Sequence, residues 1–142
     1  MRLFFAFLLF VSCAGTSMAG DFVVKIRDVD VKRGGNIVIF IFGEDGFPRS
    51  DEKAVTSKII KADQSEIEVK LSSELDELAI KVFHDEDGNG IVTKNWTGII
   101  PKEGVGVSKQ QKISFPNPPK YEKSRLYREE YLKGVTIQLQ YM

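Results

Sequence analysis

At 142 residues, the chain is long enough to bury one real hydrophobic core and too short for two. Its 20 basic and 20 acidic side chains balance, which argues against a nucleic-acid or anionic-membrane binder working through bulk charge. A single cysteine, Cys13, excludes a framework of internal disulfides, so packing must hold the domain together, with or without a metal.

The first segment reads as a targeting signal. Met1-Arg2 is a positive end, Leu3 to Val11 is an unbroken apolar run, and Ser17-Met18-Ala19 has the small-x-small form of a cleavage site. The run is far shorter than the roughly twenty residues that a membrane-spanning helix needs, so no membrane span is expected. The expectation is a cleaved signal peptide over residues 1–19 and a mature chain of 20–142 in the periplasm or outside the cell. Val11-Ser12-Cys13 also resembles a lipoprotein signal, in which Cys13 would carry a lipid anchor. Phe10 stands where an aliphatic residue is usual, so cleavage after Ala19 is preferred. The mature chain loses only Arg2 from its charged set and carries 19 basic against 20 acidic residues.

Phe22 to Val29 (FVVKIRDV) shows the period-two alternation of a half-buried strand. Lys32 to Asn36 is a turn on its paired glycines. Ile37 to Phe42 (IVIFIF) is a continuous β-branched and aromatic run, suited to a strand buried on both faces. Gly43 to Ser50 is a loop, with Phe47 turning back into the core. Asp51 to Ala62 is ambiguous; a short strand fits, and no helical stripe persists. Glu66 to Leu71 and Leu78 to Phe83 alternate cleanly, and the second delivers His84 and Asp85 to the mouth of a loop. Lys112 to Phe115 reads as a brief strand closed by the rigid Pro116-Asn117-Pro118-Pro119 connector. Tyr121 to Leu132 is either a short helix or an irregular edge. Val135 to Tyr141 (VTIQLQY) alternates again. The fold expected is a single all-β domain, an antiparallel immunoglobulin-like or prealbumin-like β-sandwich of about seven strands.

The loop after Phe83 carries the clearest chemistry. Counting Asp85 as the first ligand of a calcium loop, Asp87 falls third and Asn89 fifth. Gly90 is sixth, the Ile91 carbonyl seventh and Thr93 ninth. Alternate side-chain oxygens at such spacing converge on one hard cation, and the glycine permits the sharp turn. Trp96 stands twelfth, where an EF-hand has its bidentate acid, so Glu103 folding back from the next turn is the expected distal ligand. The opposing reading is a solvated acidic turn of local Asx hydrogen bonds. His84, the single histidine, is expected to close the strand end and bond to this loop.

These residues also carry a resemblance. His84-Asp85-Glu86-Asp87-Gly88-Asn89-Gly90, then Gly98 with Pro101 to Ser108, then Pro118-Pro119-Lys120-Tyr121-Glu122 resemble the bacterial secreted family known as domain of unknown function 2141. The likeness spans essentially the whole mature chain. Thr93 replaces a usual aspartate, an extra isoleucine lies in Ile99-Ile100, and Ser124 replaces a usual alanine. The resemblance implies an exported β-sandwich of unassigned activity and supplies no reaction.

Three functions compete. The leading one is a non-catalytic binding or structural module, stiffened by Ca2+ and engaging an unidentified protein or glycan. The second is a metal-dependent hydrolase using His84, Asp85 and Glu103 around a metal-bound water. The third is a carbohydrate-binding module using Trp96 and tyrosines. No nucleophile elbow, zinc set or phosphate loop is present in the sequence to favour an enzyme.

Overall fold

A computed structural model describes residues 18–90, 102–114 and 117–142. The segment read as an export signal therefore falls outside the described residues, apart from Met18 and Ala19. The chain is mostly β, in two sheets. The first places β1 (Gly20–Arg27) between β4 (Ile67–Ser73) and β8 (Val135–Gln138). The second runs in the order β3 (Thr56–Lys61), β2 (Asn36–Phe42), β5 (Glu77–Asp85) and β6 (Val105–Val107). A two-residue strand, β7 (Leu126–Tyr127), pairs with the start of β5.

One pairing departs from the antiparallel expectation: β8 lies parallel to β1, with Val24 beside Val135 and Ile26 beside Ile137. Alternation in a sequence marks a strand and its buried face but carries no direction. Parallel neighbours need a long crossover, and here nearly the whole chain between them serves as one.

The alternation explains the core. Phe22, Val24 and Ile26 of β1, Val69 and Leu71 of β4, and Val135 and Ile137 of β8 point inward. They meet Ile37, Ile39 and Ile41 of β2 and Leu78, Ile80 and Val82 of β5 in one shared cluster. Each such buried side chain is worth about 1.5–3 kcal/mol of transfer free energy. The unbroken apolar run of β2 is needed because its other face is buried too. There Val38, Phe40, Phe42 and Phe83 form a second cluster with Val105, Val107 and Ile113. The loop after β2 covers it, with Phe47 set edge-on to Phe42 at 5.6 Å, as the sequence anticipated. Lys81 looks like an outward residue of β5 yet is buried. Its ammonium donates to the Pro48 carbonyl at 3.0 Å, pairs with Asp51, and lies over the Phe40 and Phe83 rings. That strap ties the loop down.

Three local expectations change. The ambiguous stretch after Asp51 is a 3-10 turn (Asp51–Lys53) followed by β3. The brief strand expected at 112–115 is absent among the described residues 112–114, because glutamine side chains take the place of a ladder. Gln140 Oε1 accepts from the Ile113 N–H at 3.1 Å, and its amide donates to the Gln111 carbonyl at 3.0 Å. Gln110 does the same for β8, donating to the Thr136 carbonyl and accepting from the Gln138 N–H. In contrast, Val105–Val107, just past the turn that carries Glu103, forms a strand, β6. Gly106 is required there by close approach: a Cβ would lie 2.6 Å from the Gln138 carbonyl. Residues 121–132 hold two single-turn helices, α1 (Tyr121–Ser124) and α2 (Arg128–Tyr131), on either side of β7. The last strand ends at Gln138, and Gln140 crosses to the second sheet by an isolated bridge to Val105. No helix among the described residues is long and apolar enough to cross a membrane.

Candidate metal centre

β5 ends by sending successive side chains to opposite faces of its sheet. His84 goes inward beside Ile37, and Asp85 goes outward to the loop. His84 is 0% exposed, and both ring nitrogens are engaged. Nε2 faces the Gly34 carbonyl, which can only accept, so Nε2 carries the proton. Nδ1 lies 2.8 Å from the Tyr141 hydroxyl. That hydroxyl already accepts the Asp30 N–H at 2.9 Å, so its own proton points to Nδ1. With Nε2 bonded to Gly34 and Nδ1 to Tyr141, no ring nitrogen is left over. The expected partner, the acidic loop, is thus replaced by the β1–β2 turn and the C-terminal Tyr141. The cause is the strand's pleat, which turns His84 and Asp85 to opposite faces.

Arg33 fastens the same corner from outside. Its guanidinium pairs with Asp30 at 3.0 Å and Glu86 at 2.8 Å, and lies 4.6 Å from the Tyr141 ring centroid. The Glu86 and Asp30 hydrogen bonds raise its pKa further. Burial pushes the Tyr141 hydroxyl above its ordinary value, against the lowering effect of the Asp30 N–H. Gly104 is pressed on the ring, where a Cβ would sit 2.5 Å from it.

On the other side of Asp85 the acids gather. Oxygens of Asp85, Asp87 and Glu103 lie within 4.8 Å of one another. Asp85 and Glu103 are buried, at 3% and 2% exposure, whereas Asp87 is exposed. The loop closes on the Asp85 carboxylate: Oδ1 accepts the Asn89 N–H at 3.1 Å and Oδ2 the Gly90 N–H at 2.9 Å. Gly88 and Gly90 take positive φ, as the turn requires. Glu103 Oε1 accepts the Glu86 N–H at 3.0 Å, which draws the second turn over the first. Asn89 braces Asp87, with its backbone and side-chain nitrogens both donating to that carboxylate. Four of the expected ligands, Asp85, Asp87, Asn89 and Glu103, are therefore brought to one corner. Ile91, Thr93 and Trp96 lie outside the described residues.

A family model described as "Uncharacterized protein conserved in bacteria (DUF2141)" matches residues 24–133. The chain belongs to the DUF2141 family. No curated protein and no solved structure matches it. The DUF2141 match takes in the acidic loop and the Pro118-Pro119 segment, and stops before β8 and Tyr141. Tyr141, Asp30 and Gly34 are the parts of the site that sequence reasoning missed. Tyr141 is 111 positions from Asp30 and 57 from His84, so no local spacing announces them.

Proposed function

We propose that this DUF2141 domain is an exported, non-catalytic binding or structural module, periplasmic or at the cell surface, whose acidic loop takes a calcium ion. The observation that carries the metal reading is the meeting of Asp85, Asp87 and Glu103 from two separate segments, two of them buried. Hard carboxylate oxygens so grouped suit Ca2+ by ligand chemistry, with backbone carbonyl and water completing the shell. Export rests on the apolar run and Ser17-Met18-Ala19. An immunoglobulin-like or prealbumin-like arrangement is part of the same reading, supported by two sheets sharing one core.

The engagement of both His84 nitrogens supports the non-catalytic reading over a hydrolase, since a general base needs a nitrogen within reach of water. Three of the four tyrosines offer no face to a glycan, since Tyr121 and Tyr131 are buried and Tyr141 is held in the His84 network. Tyr127 is 43% exposed, with the Arg125 guanidinium 5.0 Å from its ring centroid.

Thermal melting in calcium and in chelator tests the proposal. A site short of acids belongs at the weak, extracellular end, with Kd about 0.1–1 mM. At about 1 mM calcium and the tighter limit, linkage gives about 1.4 kcal/mol, a rise of roughly 4–7 °C. Asp85→Ala with Asp87→Ala should abolish the rise. Equal melting temperatures in calcium and chelator would leave a plain acidic turn.

A further inference from the structure

The four sheet edges are not treated alike. Gln110 covers the free edge of β8, and Gln140 bridges to β6. Among the described residues no strand pairs with the outer edges of β3 and β4, which flank a groove of about 370 Å3. We propose that β3 is a docking edge for an extended, acidic peptide segment of a partner protein, which adds to the sheet as a further strand.

The backbone supplies the template. The Ala62 N–H bonds to the Gly35 carbonyl, and bonded pairs alternate along an antiparallel ladder. Lys58 and Ile60 therefore turn their amides toward β2, while Ser57, Ile59 and Lys61 present theirs outward. A strand with outward N–H and C=O groups is a ready partner for another extended segment. Apolar surface accompanies it: Ile59 is 62% exposed and Val55, just before the strand, 56%. On the groove side, Ile60, Ile67 and Val69 form an apolar floor.

Charge selects the occupant. β3 reads TSKIIK and holds no acid, and although Asp63 and Glu68 also line the groove, the lysines there (Lys58, Lys61 and Lys70) outnumber them. Neither Lys58 nor Lys61 makes an ion pair with a described residue, although Lys58 reaches the Lys70 carbonyl at 3.5 Å. Lysines on an edge repel a second copy of the same edge. The same pair attracts glutamates or aspartates placed on alternate residues of an incoming strand, so the strand that fits is acidic and apolar by turns. The chain is nearly neutral overall, so this attraction is local to the edge. A nucleic acid would meet the two lysines but has no alternating donors and acceptors to continue the ladder.

The test uses the full mature chain and a fluorescein-labelled peptide of alternating glutamate and valine. Fluorescence anisotropy should report binding that weakens with salt. Lys58→Glu with Lys61→Glu, whose melting temperature should stay near wild type because both side chains are on the surface, should weaken it by about tenfold or more. Amide hydrogen exchange should slow at Ser57, Ile59 and Lys61. No binding at millimolar peptide overturns the proposal, as does binding that the double variant leaves unchanged or protection that falls elsewhere. Equal binding of a lysine–valine peptide, or displacement by a short single-stranded oligonucleotide, also overturns it. So does sedimentation showing the free chain paired with itself through β3.

Discussion

Replacing Tyr141 by phenylalanine removes one oxygen and keeps what the ring does. The ring still lies edge-on to His84, with centroids 5.9 Å apart, beneath Arg33 and against Gly104. What disappears is a hydroxyl that accepts the Asp30 N–H at 2.9 Å and donates to His84 Nδ1 at 2.8 Å. His84 has no access to solvent, so an Nδ1 without a donor costs about 1–3 kcal/mol. The Asp30 N–H is only part-buried and recovers water, which adds about 0.5–1 kcal/mol. The total is about 1.5–4 kcal/mol, or roughly 6–16 °C in melting temperature for a domain of this size. Urea denaturation should show a lower midpoint at unchanged slope. A double-mutant cycle with His84→Leu should give a coupling of at least about 0.5–1 kcal/mol, because the two groups touch. A loss below about 0.5 kcal/mol, or strict additivity with His84→Leu, would refute the assigned network.

Other outcomes follow from the same geometry. Ile39→Asp should abolish soluble, cooperative folding, because it places an unpaired charge in the shared core; expression and circular dichroism check this. Gly35→Ala should be far more damaging than Gly34→Ala, as chemical denaturation would read. Both glycines have positive φ, but a Cβ at 35 would collide with the Asp85 carbonyl and one at 34 meets open space, for a cost of about 1 kcal/mol. Stability should also fall in alkali. Burial holds the Tyr121 and Tyr141 hydroxyls above their ordinary value, so the unfolded chain loses these protons first. Their contribution is complete below about pH 10 and is lost as pH climbs through the higher folded values, which melting curves across that range should show.

The strands were legible where one face is buried, because burial writes period two into the residues: β1, β4 and β5 lie within a few residues of the alternating runs. β2 was legible from its continuous β-branched and aromatic run, because its second buried face removes the alternation. The reading failed where side chains stand in for backbone. Ile113 has strand-like neighbours, yet its N–H is satisfied by the Gln140 side chain, and nothing local distinguishes that glutamine from a solvated one. It failed again at Gly106, where a glycine signals close approach of another backbone rather than a bend. At the candidate site the acids were legible because they share one loop, and Glu103 because the missing twelfth-position acid called for a substitute. The His84 network was not, since its members come from both ends of the chain.

The parallel pairing of β1 with β8 has a consequence for how the molecule is made. The second strand to be placed beside β1 is the last of the described strands in chain order: Val24 waits for Val135, 111 positions later. Tyr141, still further on, completes the packing around His84. Until β8 emerges from the ribosome, the nascent chain holds β1 with one flank bare. Such late, long-range closure slows folding. A sheet that stays open until β8 has emerged also leaves the inward face of β1 without one of its two neighbours for most of the time the domain is being made.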